Sequence, residues 1–300
     1  MTPFLTHGRI GGGVVATPDL DASLLDYRDR LGLELVEEAP LPAELAQAWV
    51  CPANEGAPTA TLRPRSGAPC HLRLVEQPLP PGFVPTRTHG WAAFELTVQD
   101  VHGWPARLAG SGFEVVGPPR EIEGLPYFVP MQVVGRGREM LYLNEVRADT
   151  PTSDLPKALS PVDHIFIVIL ATPSREASLR WFRERLGLDE GGTYTIEYTM
   201  LNRAFDLPDG TLSTLSMAQA GRLPVVEIDD YPAQATERGV DPGRLPPGCA
   251  LVSLAVRSLD ALDLPWLAPP ARREGPAYEG RRAATARGSA GELIELVEVG

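Results

Sequence analysis

Arg9–Leu33 reads RIGGGVVATPDLDASLLDYRDRLGL, and 155 positions further on His164–Leu188 reads HIFIVILATPSREASLRWFRERLGL. Of the 25 aligned columns 12 are identical, among them Ala-Thr-Pro, Ala-Ser-Leu and the closing Arg-Leu-Gly-Leu. An ungapped match of that density marks an internal repeat, and a repeat decides the architecture before any motif does. Outward from it, Cys70–Pro78 (CHLRLVEQP) aligns with Pro224–Pro232 (PVVEIDDYP), Gly90–Asp100 with Gly248–Ser258, and Glu139–Val146 with Glu292–Val299, at offsets of 153 to 158. The 300-residue chain is therefore a tandem duplication of 1–150 and 151–300. The Pro-, Ser- and Thr-rich stretch Ala148–Pro161 reads as the linker. Each half is expected to form its own two-sheet unit.

Within each half the theme divides again. Ile10–Ala16 and Ile165–Ala171 are apolar runs of strand length ending at Thr-Pro. Ser23–Leu31 and Ser178–Leu186 then place apolar residues at helical spacing (Leu24, Tyr27, Leu31; Leu179, Phe182, Leu186) and stop at Gly32 and Gly187. A fainter copy follows, with a strand at Ala92–Val98, a helix from Val101 to Ala109 and a closing strand at Met140–Val146, matched by Ala250–Val256 and Leu293–Val299. Strand, helix and further strands recur four times. That order predicts mixed sheets with helices outside, an α+β class.

Composition narrows the function. At 43% hydrophobic and 22% charged residues the chain is an ordinary globular sequence. The net charge of −12 speaks against nucleic acid as a partner, because phosphate binding needs a basic footprint. No run approaches the ~18 apolar residues of a membrane span. Met1–His7 lacks the basic-then-apolar layout of a secretion signal, and Cys51, Cys70 and Cys249 form no Cys-x-x-Cys pair, so a cytoplasmic protein without disulfides is expected. There is no Gly-x-Ser-x-Gly elbow. Gly11-Gly12-Gly13 falls inside a strand run, where glycine marks close approach to the backbone.

An apolar strand, then Asp19-Leu-Asp-Ala-Ser23, then Tyr27-Arg-Asp-Arg-Leu-Gly-Leu33 resembles the first module of the vicinal oxygen chelate superfamily, whose members include glyoxalase I, extradiol dioxygenases, fosfomycin-resistance proteins and bleomycin-binding proteins. Ser178 with Trp181-Phe-Arg-Glu-Arg-Leu-Gly-Leu188 is a second match, and Phe94–Asp100 with Leu108–Pro119 resembles the second module. The resemblance implies four βαβββ modules paired into two domains, each with a curved sheet around a cleft. In metal-bearing members the ligands come from the first and last strands of the paired modules.

Carried over residue by residue, those positions in the second half are His164 on the first strand, Glu227 on the last strand of that module, Cys249 or Leu251 opening the final module, and Glu295 on its last strand. One His and two Glu with an open position suit a divalent ion such as Zn, Mn, Fe or Ni. The first-half counterparts are Arg9, Arg73 and Tyr142, and arginines cannot ligate a cation. The site is therefore expected in the second half, with Arg9 and Arg73 receiving an anionic group in the first. The resemblance usually puts the first-strand ligand 11 residues before the helix serine, which is Ile167 here and Gly12 in the first half. His164 faces the cleft if the Ala171–Arg175 turn absorbs three residues.

Tyr198, Met200, Asn202, Arg203 and Phe205, with Cys249, read as lining of the second-half cleft. His71, beside Arg73, and His89 read as structural, His71 on the opposite face from Arg73. The resemblance implies a metal-dependent lyase or isomerase of the glyoxalase kind acting on a small oxygenated, aromatic or apolar metabolite. Glu227 or Glu295 would exchange ligand duty for proton transfer. A metal-free small-molecule binding or resistance protein, or a dioxygenase-related member, is the alternative. A monomer is favoured over a homodimer, since duplicated halves do within one chain what single units do by dimerising.

Overall fold

The computed structural model describes residues 9–122 and 125–300; the N-terminal stretch read for a leader lies outside them. The repeat is realised down to its hydrogen bonds. Strands β1 (Ile10–Thr17) and β9 (Val162–Thr172) each lead into a helix, α1 (Leu20–Leu25, continued by a π turn to Arg30) and α4 (Arg175–Leu186). Asp19 and Ser174 cap these helices by accepting from the amides of Ala22 and Ala177. Ser23 and Ser178, one turn in, bond the hydroxyls of Thr17 and Thr172. The first helical amides, of Leu20 and Arg175, donate to Glu76 and Asp230, which also stand at equivalent places. The repeat thus keeps one strand–helix corner twice, its Thr–Ser clamp in identical letters and its caps in equivalent ones.

The first module continues through β2 (Glu34–Pro40), α2 (Ala43–Ala48), β3 (Pro58–Arg63) and β4 (His71–Glu76). The second comprises β5 (Gly90–Val98), α3 (Trp104–Leu108), β6 (Glu114–Gly117), β7 (Phe128–Val134) and β8 (Met140–Val146). The third adds β10 (Asp189–Glu197), α5 (Thr199–Ala204), β11 (Leu212–Ala220) and β12 (Leu223–Asp230) to β9 and α4. The fourth has β13 (Gly248–Val256), β14 (Ala268–Arg272), β15 (Arg282–Arg287) and β16 (Leu293–Glu298). Its expected helix is absent: Leu259–Leu267 forms turns, and Pro265 would interrupt a helix there.

The pairing of modules differs from the expectation that each half closes on itself. One eight-stranded sheet runs β14-β15-β16-β13-β1-β4-β3-β2 and the other β10-β11-β12-β9-β5-β8-β7-β6. The first module therefore pairs with the fourth through β1 and β13, and the second with the third through β5 and β9, both antiparallel. Each sheet takes four strands from each half. The boundary near 150–161 separates repeats along the chain, but both sheets cross it.

The convex faces of the two sheets meet in one core that includes Tyr27, Phe94, Trp104, Phe182 and Leu254. A Cβ on Gly13 would stand 2.5 Å from the Phe94 ring, so glycine is what lets β1 approach the other sheet. The concave faces look outward, each covered by the connection after its module's second strand.

Candidate functional site

The concave face of the first sheet holds a cavity of about 140 Å³. Its floor is the bare backbone of Gly11–Gly13; around it stand His71, Arg73, Ser253, Glu295 and the rings of Trp49 and Tyr278. Cross-strand register sets the row: His71 pairs with Gly12, Gly12 with Ser253, and Ser253 with Glu295. Side chains two apart on a strand share a face, so His71 and Arg73 both look into the cavity, contrary to the expectation that they diverge.

Glu295 is 2% exposed and fully engaged. Its Oε1 accepts from Trp49 Nε1 at 2.8 Å and from the Tyr278 hydroxyl at 2.9 Å, and its Oε2 accepts from Ser253 Oγ at 2.6 Å. Arg73 lies between the same two rings, 5.4 Å from the Trp49 centroid and 5.6 Å from that of Tyr278. It donates to Thr61 Oγ1 at 3.0 Å and sits 3.7 Å from Glu37. A buried cation and a buried anion thus share two aromatic walls. That arrangement offsets the cost of burying either alone. Burial, then Arg73 and Arg63, push the His71 imidazole down to about 4, so it is neutral near pH 7.

The proposed metal set does not assemble. Glu295 belongs to the first sheet, whereas His164 and Glu227 belong to the second. Glu227 pairs with Ile169, five residues along β9 from His164, a separation of ~16 Å at strand rise. The turn absorbs no extra residues, since β9 runs to Thr172 and Ser174 caps the helix; instead β9 bulges at Phe166, between the partners of Glu95 and Leu96. His164 lies 3.8 Å from the Asp163 carboxylate. Among the described residues no three His, Cys, Asp or Glu side chains are arranged to hold a metal ion.

The other expected residues divide similarly. Arg9 is not beside Arg73; it donates to the Leu186 carbonyl at the end of α4. The Cys249 thiol is 2% exposed in the inter-sheet core, bonded to the Met140 carbonyl and pushed up to about 12 by burial, which makes it inert. Tyr198, Met200 and Phe205 do pack over the concave face of the second sheet. Asn202 instead braces the α5–β11 connection by donating to Thr211, and Arg203 is exposed. That second cleft is filled: Ile167, at the position held by Gly12 in the first, is 9% exposed, and Tyr142 and Tyr198 join hydroxyls across it at 2.9 Å.

Sequence reasoning missed Trp49, Ser253 and Tyr278. Trp49 was recoverable, because it follows α2 as Phe205 follows α5, 156 residues on. Tyr278 lies in an irregular Gly-Pro-Ala-Tyr segment with no periodic signal.

A family model of the glyoxalase/bleomycin resistance protein/dioxygenase superfamily matches residues 9–129. Among solved structures, glyoxalase I from Zea mays superposes with a TM-score of 0.62 at 16% identity, over 97% of this chain and 92% of that one. A candidate dioxygenase from Bacillus subtilis subsp. subtilis strain 168 gives 0.63 at 10% identity, over 98% and 86%. The chain matches none of the curated protein sequences. At these identities the structural likeness is one of fold.

The superfamily's metal can be tested against the four strand positions around the cavity, which are Gly12, Arg73, Ser253 and Glu295. A guanidinium repels a cation, Glu295 already accepts three hydrogen bonds, and a Cβ on Gly12 would lie 2.3 Å from the His71 carbonyl oxygen, so no ligating side chain fits there without a backbone shift. These residues do not fit a divalent ion. Residues 9–129 thus match the glyoxalase/bleomycin resistance protein/dioxygenase superfamily, and the four modules in two curved eight-stranded sheets share the fold of those solved structures.

Proposed function

We propose that the chain binds a small oxygenated molecule of about one ring in the first cleft, without a metal ion. The supporting observation is the row His71–Gly12–Ser253–Glu295 with Arg73 above it: a glycine floor where the second repeat carries Ile167, flanked by fixed donors and acceptors. A volume near 140 Å³ is that of a cavity taking roughly one benzene-sized ring. The Arg73 end suits an anionic or carbonyl oxygen, and the Ser253–Glu295 end suits a hydroxyl. Apolar walls with a few fixed polar groups are the usual make-up of such sites.

A second reading is metal-free proton transfer, favoured by the 2.6 Å Ser253–Glu295 contact. The three donors already on Glu295 weigh against it, since they occupy the lone pairs that would take a proton. Isothermal titration with a panel of hydroxybenzoates and neutral phenols tests the binding reading. Binding that survives chelator treatment and falls at least tenfold in Arg73→Met is expected. Tight uptake of Zn, Mn, Fe or Ni that is required for binding would overturn it.

A further inference from the structure

We propose that the outer edge of β10 is where two copies of this chain meet, joined strand to strand about a two-fold axis at Thr195. β10 ends the second sheet and pairs with β11 alone among the strands. Every second amide and carbonyl along it therefore points away from the sheet. Among the described residues no other main chain bonds to these groups over Thr193–Glu197. What completes a row of outward donors and acceptors at strand spacing is another strand.

The other three sheet edges are guarded. β2 carries Glu34, Glu37 and Glu38 and ends in Pro40, β14 holds Pro269 and Pro270, and β6 is only 4 residues long. Proline has no amide to offer, and short or charged strands pair poorly, so such edges stay alone. β10 spans 9 residues without proline or lysine. A bulge separates Glu190 from Thr193, and beyond it Thr193–Glu197 runs in regular register with every residue exposed. The acids at the ends of the strand are turned to their own chain: Asp189 accepts from the Gly221 amide at 3.1 Å and Glu197 from that of Gly210 at 2.9 Å. The stretch between Thr193 and Ile196 is uncharged. Tyr194 and Ile196, with Leu212 opposite Glu197 on β11, are three of the nine large apolar side chains exposed among the described residues, so apolar surface gathers where the backbone is unpaired.

A second copy fits this edge better than a foreign strand because the stretch is its own complement. Opposed residues of an antiparallel pair share a face, so a two-fold axis normal to the sheet must pass through a residue and not between two. Centred on Thr195, it pairs the whole regular stretch: Thr195 with its own copy, Tyr194 with Ile196 twice, and Thr193 with Glu197 twice. Aromatic against β-branched is a favourable cross-strand pair, and no like charges stand opposed. Centred on Thr193, the axis would set Asp189 against Glu197, acid on acid. The resulting contact uses the same patch on both copies, and it replaces the monomer that the duplication suggests.

Sedimentation equilibrium of the full chain over a concentration series tests this. A reversible monomer–dimer equilibrium is expected. Thr195→Lys and Thr195→Asp should each weaken it at least tenfold, since each sets like charges face to face on the axis, and an equimolar mixture of the two should restore the dimer. Thr195→Cys, a near-isosteric change at an exposed position, should give a disulfide-linked dimer on mild oxidation and Thr193→Cys should not; Cys51, Cys70 and Cys249 are buried and do not interfere. A monomer at every concentration, a dimer indifferent to both charges, a mixture no tighter than either variant, or equal cross-linking at 193 and 195 would each overturn the proposal. None of these residues lines the first cleft, so failure here leaves the binding reading standing.

Discussion

Removing the two donors that hold one oxygen of Glu295 tests how the first cleft is built. Tyr278→Phe deletes only the hydroxyl at 2.9 Å from Oε1; a hydrogen bond to a charged group contributes about 1.5–3 kcal/mol. Trp49→Phe deletes the indole N–H at 2.8 Å, and because Trp49 is 1% exposed it also leaves a small void costing roughly 1 kcal/mol more. Either donor still serves Oε1 when the other is gone. With both removed, that oxygen is left bare in a buried carboxylate, so the double variant should cost about 1 kcal/mol beyond the sum of the singles. In a Glu295→Gln background the bonds become neutral, and Tyr278→Phe should cost only about 1 kcal/mol. Urea unfolding followed by far-ultraviolet circular dichroism measures all of these. If Tyr278→Phe costs the same beside Gln as beside Glu, the hydroxyl is not holding a charge and the account of the site fails.

Because both sheets cross the repeat boundary, separately expressed fragments 1–155 and 156–300 should each remain unfolded and should fold on mixing; a cooperative transition in either fragment alone would contradict the pairing of β1 with β13 and β5 with β9. Glu292, 3% exposed in the β15–β16 turn, is pushed up to about 7 by burial. Its folded value lies above the unfolded one, so its contribution is complete below about pH 4.5 and is lost as pH rises through 7. Glu292→Gln should therefore shrink the stability difference between pH 5 and pH 8 by about 2 kcal/mol, and an unchanged difference would refute the assignment.

Much of this was legible in the letters. Thr17, Ser23 and Gly32, repeated as Thr172, Ser178 and Gly187, announced the strand–helix corners because capping and αL geometry demand those residue types locally. Module pairing was not legible. Ile10–Thr17 and Val162–Thr172 are buried on both faces, so nothing in their alternation says which other first strand each will meet. Pairing modules within halves groups His164 and Glu227 with Glu295, although they lie on different sheets. The second-half lining was partly legible, since Tyr198, Met200 and Phe205 carry apolar bulk into a short connection. Asp229 was not, because next to Asp230 it reads as a solvated acidic patch, yet it is buried while Asp230 is half-buried and salt-bridged to Arg175.

The crossing of the halves has a consequence for how the two clefts can differ. Two separate copies of a half-length chain, meeting through the same first-strand pairings, would place every substitution in both clefts at once. A change suiting one ligand would then be imposed on the other. Covalent joining removes that constraint: Gly12 and Ile167, or Arg73 and Glu227, descend from one column of the repeat yet occupy different sheets. The linker thus gives each cleft its own set of mutable positions, and one can lose a side chain from its floor while the other fills with carboxylates and rings.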